Sequence, residues 1–456
     1  MSATKYNLTQ GKEGPILVRL TLPMMLGIIS MVAFNLIDTY YVGKLGKDEL
    51  AALSYTFPVI MVIFSLVQGI GIGATALISK SIGAGNLEKA RRETSDSLML
   101  GLILAFTLSS IGLFTIEPVF TFLGAGPDVL LHITDYMQIW FITVIVLVVP
   151  FVGNSAIRAT GDAKTPAYIM LFAVAVNAAL DPLLIFGIGP FPELGLKGAA
   201  LATSISRALT LVLSLYILYV KKSLITFHLP SFTVLKGCWA SIIRIGLPSG
   251  VARMLTPIAM GKVTAILSSY GAFAVAAFGV GSRIEFLTMS VLFALAASLG
   301  PFTGQNFGAQ RIGRIRKAVD ISAAFAVVWG LVMAVLLYFL GEKVANIFSE
   351  SEDVVTYSAL YLSIVPFSFG FQGINQCVNT VINTLNKPMI AFVISLVTMF
   401  GIMIPLAILG SNMAGIKGMF YGLATTYLLA GVLSYIANRW LLARLLRATK
   451  SQEIVK

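Results

Sequence analysis

The sequence predicts an all-α membrane protein with twelve transmembrane helices in two homologous six-helix lobes, and three observations carry that expectation. Apolar residues fill 57% of the 456 positions and charged residues only 11%, too little polarity to cover a water-soluble domain of this length. The first half recurs in the second at a fixed offset of 225 residues (248 − 23), pairing Pro23 with Pro248, Gly46 with Gly271, Gly83-Ala84 with Gly308-Ala309 and Tyr136 with Tyr361. After a short slip, Pro166 matches Pro388 and Gly195-x-Lys197-Gly198 matches Gly415-x-Lys417-Gly418. Finally, the apolar runs are long enough to cross a bilayer and fall into two sets of six.

In order, the expected spans lie at about 16–42, 50–79, 95–116, 131–157, 166–188 and 197–220, then at about 246–269, 273–303, 318–341, 355–384, 388–410 and 416–442. Residues 1–220 thus form a first lobe, 221–245 a linker and 246–456 a second lobe. With a cytoplasmic amino terminus, roughly 23 Lys and Arg residues fall on that side and about 5 on the other, so the positive-inside rule places both termini in the cytoplasm. The net charge of +12 therefore belongs to topology and anionic lipid, and nucleic acid is excluded as a partner. The linker carries Lys221, Lys222, Pro230 and Lys236 around Phe232, Val234 and Leu235, which reads as a cytoplasmic segment ending in a short interfacial helix. His132 and His228 read as interfacial side chains. Cys238 and Cys377, one in each lobe, support neither a disulfide framework nor a metal site. The polar start MSATKYNLTQGKEGP lacks the features of a cleavable signal. Two homologous membrane lobes in one order point to a transporter working about a central site.

An ionisable side chain inside a span is expensive and marks a function or a partner. Asp38 sits five residues before Gly43, and Asp181 six before Gly187, so both lie roughly 8 to 9 Å below the outer boundary. Asn35 and Asn177 are one turn away on their own helices, and Thr203 on the descending sixth span reaches the same level. Charge on two carboxyls buried side by side is costly, so such a group holds a proton or another cation. Pro23, on the inner half of the first span, is a candidate hinge. In the second lobe Lys262 and Glu285 differ in depth by about 7 Å, within reach of an ion pair. Arg253 and Arg283 lie nearer the inner face, and Arg207 near the middle of span six has no evident partner. Span ten carries Gln372, Asn375, Gln376, Asn379 and Asn383, a polar stripe lining a wet cavity or a neighbouring helix. The glycines of Gln68-GIGIGA and Gly279-x-Gly281 lie inside apolar helices, so they serve close helix packing rather than nucleotide binding. With no Walker motif, the chain does not drive transport by ATP on its own.

The runs Asn35-LIDTYYVGKL-Gly46, Ile82-GAG-Asn86, Gln305-NFGA-Gln310 and Ala159-TGDAKT-Pro166 resemble the multidrug and toxic compound extrusion (MATE) transporters, over essentially the whole chain. The resemblance implies a V-shaped pair of six-helix lobes of the MATE/MOP type. It also implies export of cationic or amphipathic compounds, by a chain without enzymatic activity, in exchange for H⁺ or Na⁺. It is closest to the DinF-like and archaeal-type branch, which implies a coupling site at Asp38, Asn177 and Asp181 with a fourth-helix Asn at Asn154. Acidic residues on helices seven and ten of the second lobe, the Na⁺ ligands of the NorM-like branch, are absent here.

These observations define the expected activity. The chain is a secondary active multidrug exporter of the plasma (inner) membrane, acting as a monomer without a cofactor, with H⁺ as the coupling ion. Protonation of Asp38 and Asp181 from outside releases the substrate, and deprotonation toward the cytoplasm resets the site. Na⁺ coupling at the same oxygens is one alternative. A lipid-linked precursor flippase of the same superfamily is another, and it requires basic residues for a pyrophosphate.

Overall fold

A computed structural model describes residues 7–228 and 231–454, so Pro230 of the linker lies outside the described residues. All regular secondary structure among the described residues is helical. The first half comprises α1 (Glu13–Val42), α2 (Lys47–Gly83), α3 (Leu87–Phe122), α4 (Pro127–Ile142), α5 (Ile145–Ala159), α6 (Lys164–Phe186) and α7 (Leu196–Tyr216). The second comprises α8 (Phe232–Ser268), α9 (Ala272–Gly308), α10 (Ile312–Asn346), α11 (Glu352–Ile364), α12 (Phe369–Thr384), α13 (Pro388–Leu396) and α14 (Ile404–Ile454).

Among the described residues 10 helices are long and apolar enough to cross a membrane, or 11 with the bent pair α4 and α5. The twelfth expected span appears inside α14, where Ala414 and Gly415 leave helical geometry (φ −145, ψ 29 and φ 59, ψ −145) and divide it in two. Gly195, the partner of Gly415 in the sequence repeat, has nearly the same backbone (φ 55, ψ −130). That left-handed region strains any residue with a Cβ, which explains a glycine at both positions.

The fourth and tenth spans, expected as single helices, are broken at equivalent places. α4 and α5 meet at 47° across Thr143 and Val144. Thr143 bonds back to the Ile139 carbonyl at 2.7 Å and shares a 2.7 Å hydrogen bond with Ser204 on α7, a side-chain competition that bends helices. In the second copy the 3-10 segment Val365–Ser368 separates α11 from α12. Pro366 there removes a helical donor.

The chain forms two compact units, one comprising Leu22–Gly250 and the other Leu8–Thr21 with the chain from Val251 onward. These boundaries differ from 1–220 and 246–456 because α1 and α8 each pass from one unit to the other. In the second unit, Leu8 donates to Gln305 Oε1 at 3.1 Å and accepts from Asn306 Nδ2 at 3.1 Å. Arg314 bonds the Gly11 carbonyl at 2.8 Å, and Glu13 pairs with Arg314 at 3.3 Å and Lys317 at 3.2 Å. The change of unit within α1 falls at Thr21/Leu22, beside Pro23.

In the first unit the inner part of α8 packs on α2 through glycines. A Cβ on Gly73 would lie 2.6 Å from the Ile242 carbonyl oxygen, and one on Gly246 would lie 2.8 Å from that of Gly69. The glycine run is therefore a helix crossing, as expected. Among its described residues the linker has no separate interfacial helix, because α8 is continuous from Phe232. The linker is instead tied to α3, with Thr226 N–H bonding Ser95 Oγ at 2.9 Å, and Trp239 at the start of α8 bonding the Asp96 carbonyl at 2.9 Å.

Candidate functional site: buried carboxylates of the first unit

α6 carries Asp181 and Asn177 one turn apart, and both are fully buried. Asn177 Nδ2 donates to Asp181 Oδ1 at 3.0 Å. The other Asp181 oxygen and the Asn177 carbonyl oxygen have no hydrogen-bond partner. Asp38 on α1 is buried, and its Oδ1 is likewise unpartnered. Thr203 on α7 is buried with an unpartnered hydroxyl. The charges of Asp38 and Asp181 lie within electrostatic reach of each other. Neither carboxylate forms an ion pair among the described residues.

One expected member, Asn35, turns away from this group. Asn35 is exposed, and its Nδ2 turns back to the Met31 carbonyl at 2.9 Å. A helical position three residues from Asp38 gives proximity along the axis, but the two side chains need not turn the same way. Asn154 on α5 has a buried, unpartnered Oδ1, and no hydrogen bond links it to either carboxylate among the described residues.

Two residues enter that sequence reasoning did not assign to this group. Tyr136 of α4 is buried within electrostatic reach of Asp38, Asp181 and Arg207. Its signal was present in the repeat, as the partner of Tyr361. Arg207 of α7 lies with its guanidinium 5.6 Å from the Phe34 ring centroid, and its charge is felt by Asp38. Phe34 is one turn from Asp38 on α1, and Arg207 one turn from Thr203 on the antiparallel α7. Asp38 is thus level with Thr203, and Arg207 lies one turn further in.

The second unit corrects the expected ion pair. Glu285 of α9 is buried and accepts hydrogen bonds from the Tyr361 hydroxyl of α11 and from Gln372 Nε2 of α12, the latter at 3.0 Å. Lys262 is exposed on α8 and forms no ion pair among the described residues. Similar depth put the two within reach, but they point in different directions around their helices. The polar stripe on α12 packs inward. Asn375 accepts from Asn379 at 3.1 Å and from Ser434 of α14 at 2.7 Å.

Two helical units of related sequence, the first with two buried carboxylates in membrane-spanning helices and the second with one, define a multi-pass membrane transporter. The MatE family model matches residues 23–183 and 248–409, and the chain belongs to this family of MATE transporters. It is similar to a FAD transporter of Shewanella oneidensis, with 37% identity over 94% of this chain and 95% of that one. A probable multidrug resistance protein of Bacillus subtilis, YoeA, is 26% identical over 94% of each chain. Among solved structures, the Vibrio cholerae MATE transporter VcmN in the bent form superposes with a TM-score of 0.91 at 29% identity, covering 95% of this chain and 98% of that one.

Proposed function

We propose that this chain is a secondary active exporter that moves small amphipathic compounds out of the cell in exchange for protons carried by Asp38 and Asp181. The observation that carries this reading is a buried pair of carboxylates in one unit, each with an oxygen that lacks a donor and neither with an ion-pair partner. Such a group accommodates charge poorly, so it trades a proton against other ligands of the lobe. Protons arriving from outside displace the bound substrate, and their loss to the cytoplasm restores the site. Pro23, at the change of unit within α1, serves in this reading as the hinge of that helix. The charge bias of the loops supports a plasma-membrane protein with both termini in the cytoplasm. Because both homologous halves lie in one chain, a monomer suffices.

A second reading concerns the cargo. The Shewanella oneidensis relative is named as a FAD transporter, and Arg207 has a guanidinium that makes no ion pair or hydrogen bond among the described residues. A guanidinium beside the Phe34 ring suits a phosphate-bearing aromatic molecule, which makes a flavin dinucleotide a candidate substrate of this chain.

The deciding experiment uses proteoliposomes loaded with ethidium or with FAD, energised in turn by a pH gradient and by a Na⁺ gradient. The proposal expects efflux driven by the pH gradient alone and its loss in Asp38→Asn. Efflux restored by Na⁺ with pH clamped equal on both sides would replace the coupling ion. Wild-type pH-driven efflux in Asp38→Asn would remove the carboxylate assignment. Movement of a lipid-linked pyrophosphate and of neither dye would favour the flippase.

A further inference from the structure

Within the first unit, the start of α8 is fastened to α3 at a joint made of acids. Glu93 and Asp96, one turn apart on α3, are only 7% and 3% exposed. Ser81 at the end of α2 stands in hydrogen-bonding position to Glu93, and the Cys238 thiol of α8 stands so to Asp96. Trp239, the next residue of α8, donates its indole N–H to the Asp96 carbonyl at 2.9 Å. One oxygen of each carboxylate, Glu93 Oε2 and Asp96 Oδ2, is buried without a donor.

The internal repeat supplies a comparison for this joint. The offset of 225 pairs Cys238 with Glu13, Lys89 with Arg314 and Arg92 with Lys317. In the second unit those positions make an ion pair, with Glu13 at 3.3 Å from Arg314 and 3.2 Å from Lys317. The first unit reverses the polarity. A neutral thiol stands where Glu13 would be, and the acids stand on α3 at positions whose counterparts, Ala318 and Ile321, are apolar. A charge pair that keeps its form over the ordinary pH range has thus been replaced by two carboxylates facing a thiol.

The cations around the joint lie toward water. Lys89 comes within 3.9 Å of Glu93 but is 61% exposed, an arrangement that contributes little. Lys80 of α2, Arg92 of α3 and Lys236 of α8 are exposed. α5 also packs on α3, but its Arg158 turns to Ser155 of its own helix at 2.7 Å, and Lys222 of the linker pairs with Asp162 at 2.7 Å. Two ionised carboxylates one turn apart repel each other, and burying their charge is costly. Each proton bound removes part of both costs.

We propose that Glu93 and Asp96 form a proton-operated latch between α3 and α8, closed when the surrounding water is acid and loosened when it is alkaline. Closing takes a proton from water onto a carboxylate oxygen that now lacks a donor, forming an O–H bond and cancelling the repulsion. Opening returns the protons to water, and the two charges draw solvent into the joint at Cys238 and Trp239. The charge bias of the loops assigns this end of the unit to the cytoplasm, so the latch senses internal pH. α8 passes into the second unit after Gly250, so its hold on α3 bears on a helix that both units share. The inference goes beyond the exporter reading and uses neither Asp38 nor Asp181.

Trp239 is a built-in reporter. With Trp140, Trp329 and Trp440 replaced by Phe, collisional quenching of Trp239 by acrylamide is followed across a pH titration of the full-length protein in lipid. Quenching is expected to fall several-fold on acidification. Glu93→Gln and Asp96→Asn should each move the transition to lower pH, because the remaining acid loses a like-charged neighbour. The double variant should stay at the low, acid-state value at every pH, and Asp38→Asn and Asp181→Asn should titrate like the reporter protein. Quenching independent of pH in the reporter protein would overturn the proposal. So would a transition unchanged in Glu93→Gln, Asp96→Asn and their combination, or one lost in Asp38→Asn. None of these readouts measures transport, so failure of the latch is distinct from failure of the exporter reading.

Discussion

Lys222→Met is the substitution whose cost the structure allows to be worked through. Asp162, in the loop between α5 and α6, pairs with Lys222 at 2.7 Å, and the two side chains are only 4% and 9% exposed. Asp162 also accepts from the Thr165 N–H at 3.1 Å and the Thr165 hydroxyl at 2.9 Å, closing the start of α6. Removing only the lysine charge strands a buried carboxylate, which costs about 3–5 kcal/mol. Removing both, in Asp162→Asn with Lys222→Met, leaves neutral groups and is expected to cost only about 1 kcal/mol. Burial alone pushes Asp162 up, but the Lys222 hydrogen bond, the Thr165 N–H, the Lys222 charge and the Thr165 hydroxyl outweigh it and hold the carboxyl below its ordinary 3.8. A depressed folded value means that the contribution is fully present above the unfolded value and disappears as pH falls through the folded one. The gap between wild type and Lys222→Met therefore closes below about pH 4. Reversible unfolding in mixed micelles, read at neutral and acid pH, measures all four corners of the cycle. A single variant within about 1 kcal/mol of wild type at neutral pH, or a double variant as unstable as the two singles added, would refute the reasoning.

Two further outcomes are expected. Gly281→Ala forces a Cβ to within 2.5 Å of the Tyr361 ring and should lower stability by about 1–3 kcal/mol through overpacking. Gly279→Ala, which meets nothing within 4 Å, should stay within about 0.5 kcal/mol, and equal thermal shifts in the two variants would contradict the packing account. Asn35→Ala should keep wild-type pH-driven efflux in proteoliposomes, because that side chain faces its own helix, and loss of efflux would put Asn35 back among the coupling residues.

Helix number and repeat were legible because they are written in periodicity and length, which depend on backbone geometry alone. Gly195 and Gly415 could be paired from sequence, and their dihedrals agree. Partnership between side chains was less legible. Counting residues from a helix end gives depth, and depth put Asp38 and Asp181 together while also putting Lys262 beside Glu285. What depth omits is rotation about the axis, and there the two inferences part. Asp181 has its amide on the same face one full turn away, whereas Lys262 points away from the second-unit core that encloses Glu285. The broken fourth span was hidden for a related reason. Besides bonding back to the Ile139 carbonyl, Thr143 at the bend shares a hydrogen bond with Ser204, 61 residues away, a partner that no local pattern announces.

Tyr136 and Tyr361 show what the internal repeat does and does not transmit. Both are buried at equivalent positions, 225 residues apart, Tyr136 close to two buried carboxylates and Tyr361 close to one. Those carboxylates are not equivalent. Tyr136 faces Asp38 of α1 and Asp181 of α6, while Tyr361 bonds Glu285 of α9, and the position matching Asp38 is Val263. A buried aromatic with one polar tip packs well in either unit and offers its hydroxyl to whichever neighbour carries charge. Packing constrains such a residue from many sides, whereas a carboxylate needs only one donor within reach and can be relocated to another helix. A residue's role therefore cannot be carried from one unit to the other by adding 225. The tyrosine marks where a buried acid can be held in each unit, and the side chains around it decide which acid that is.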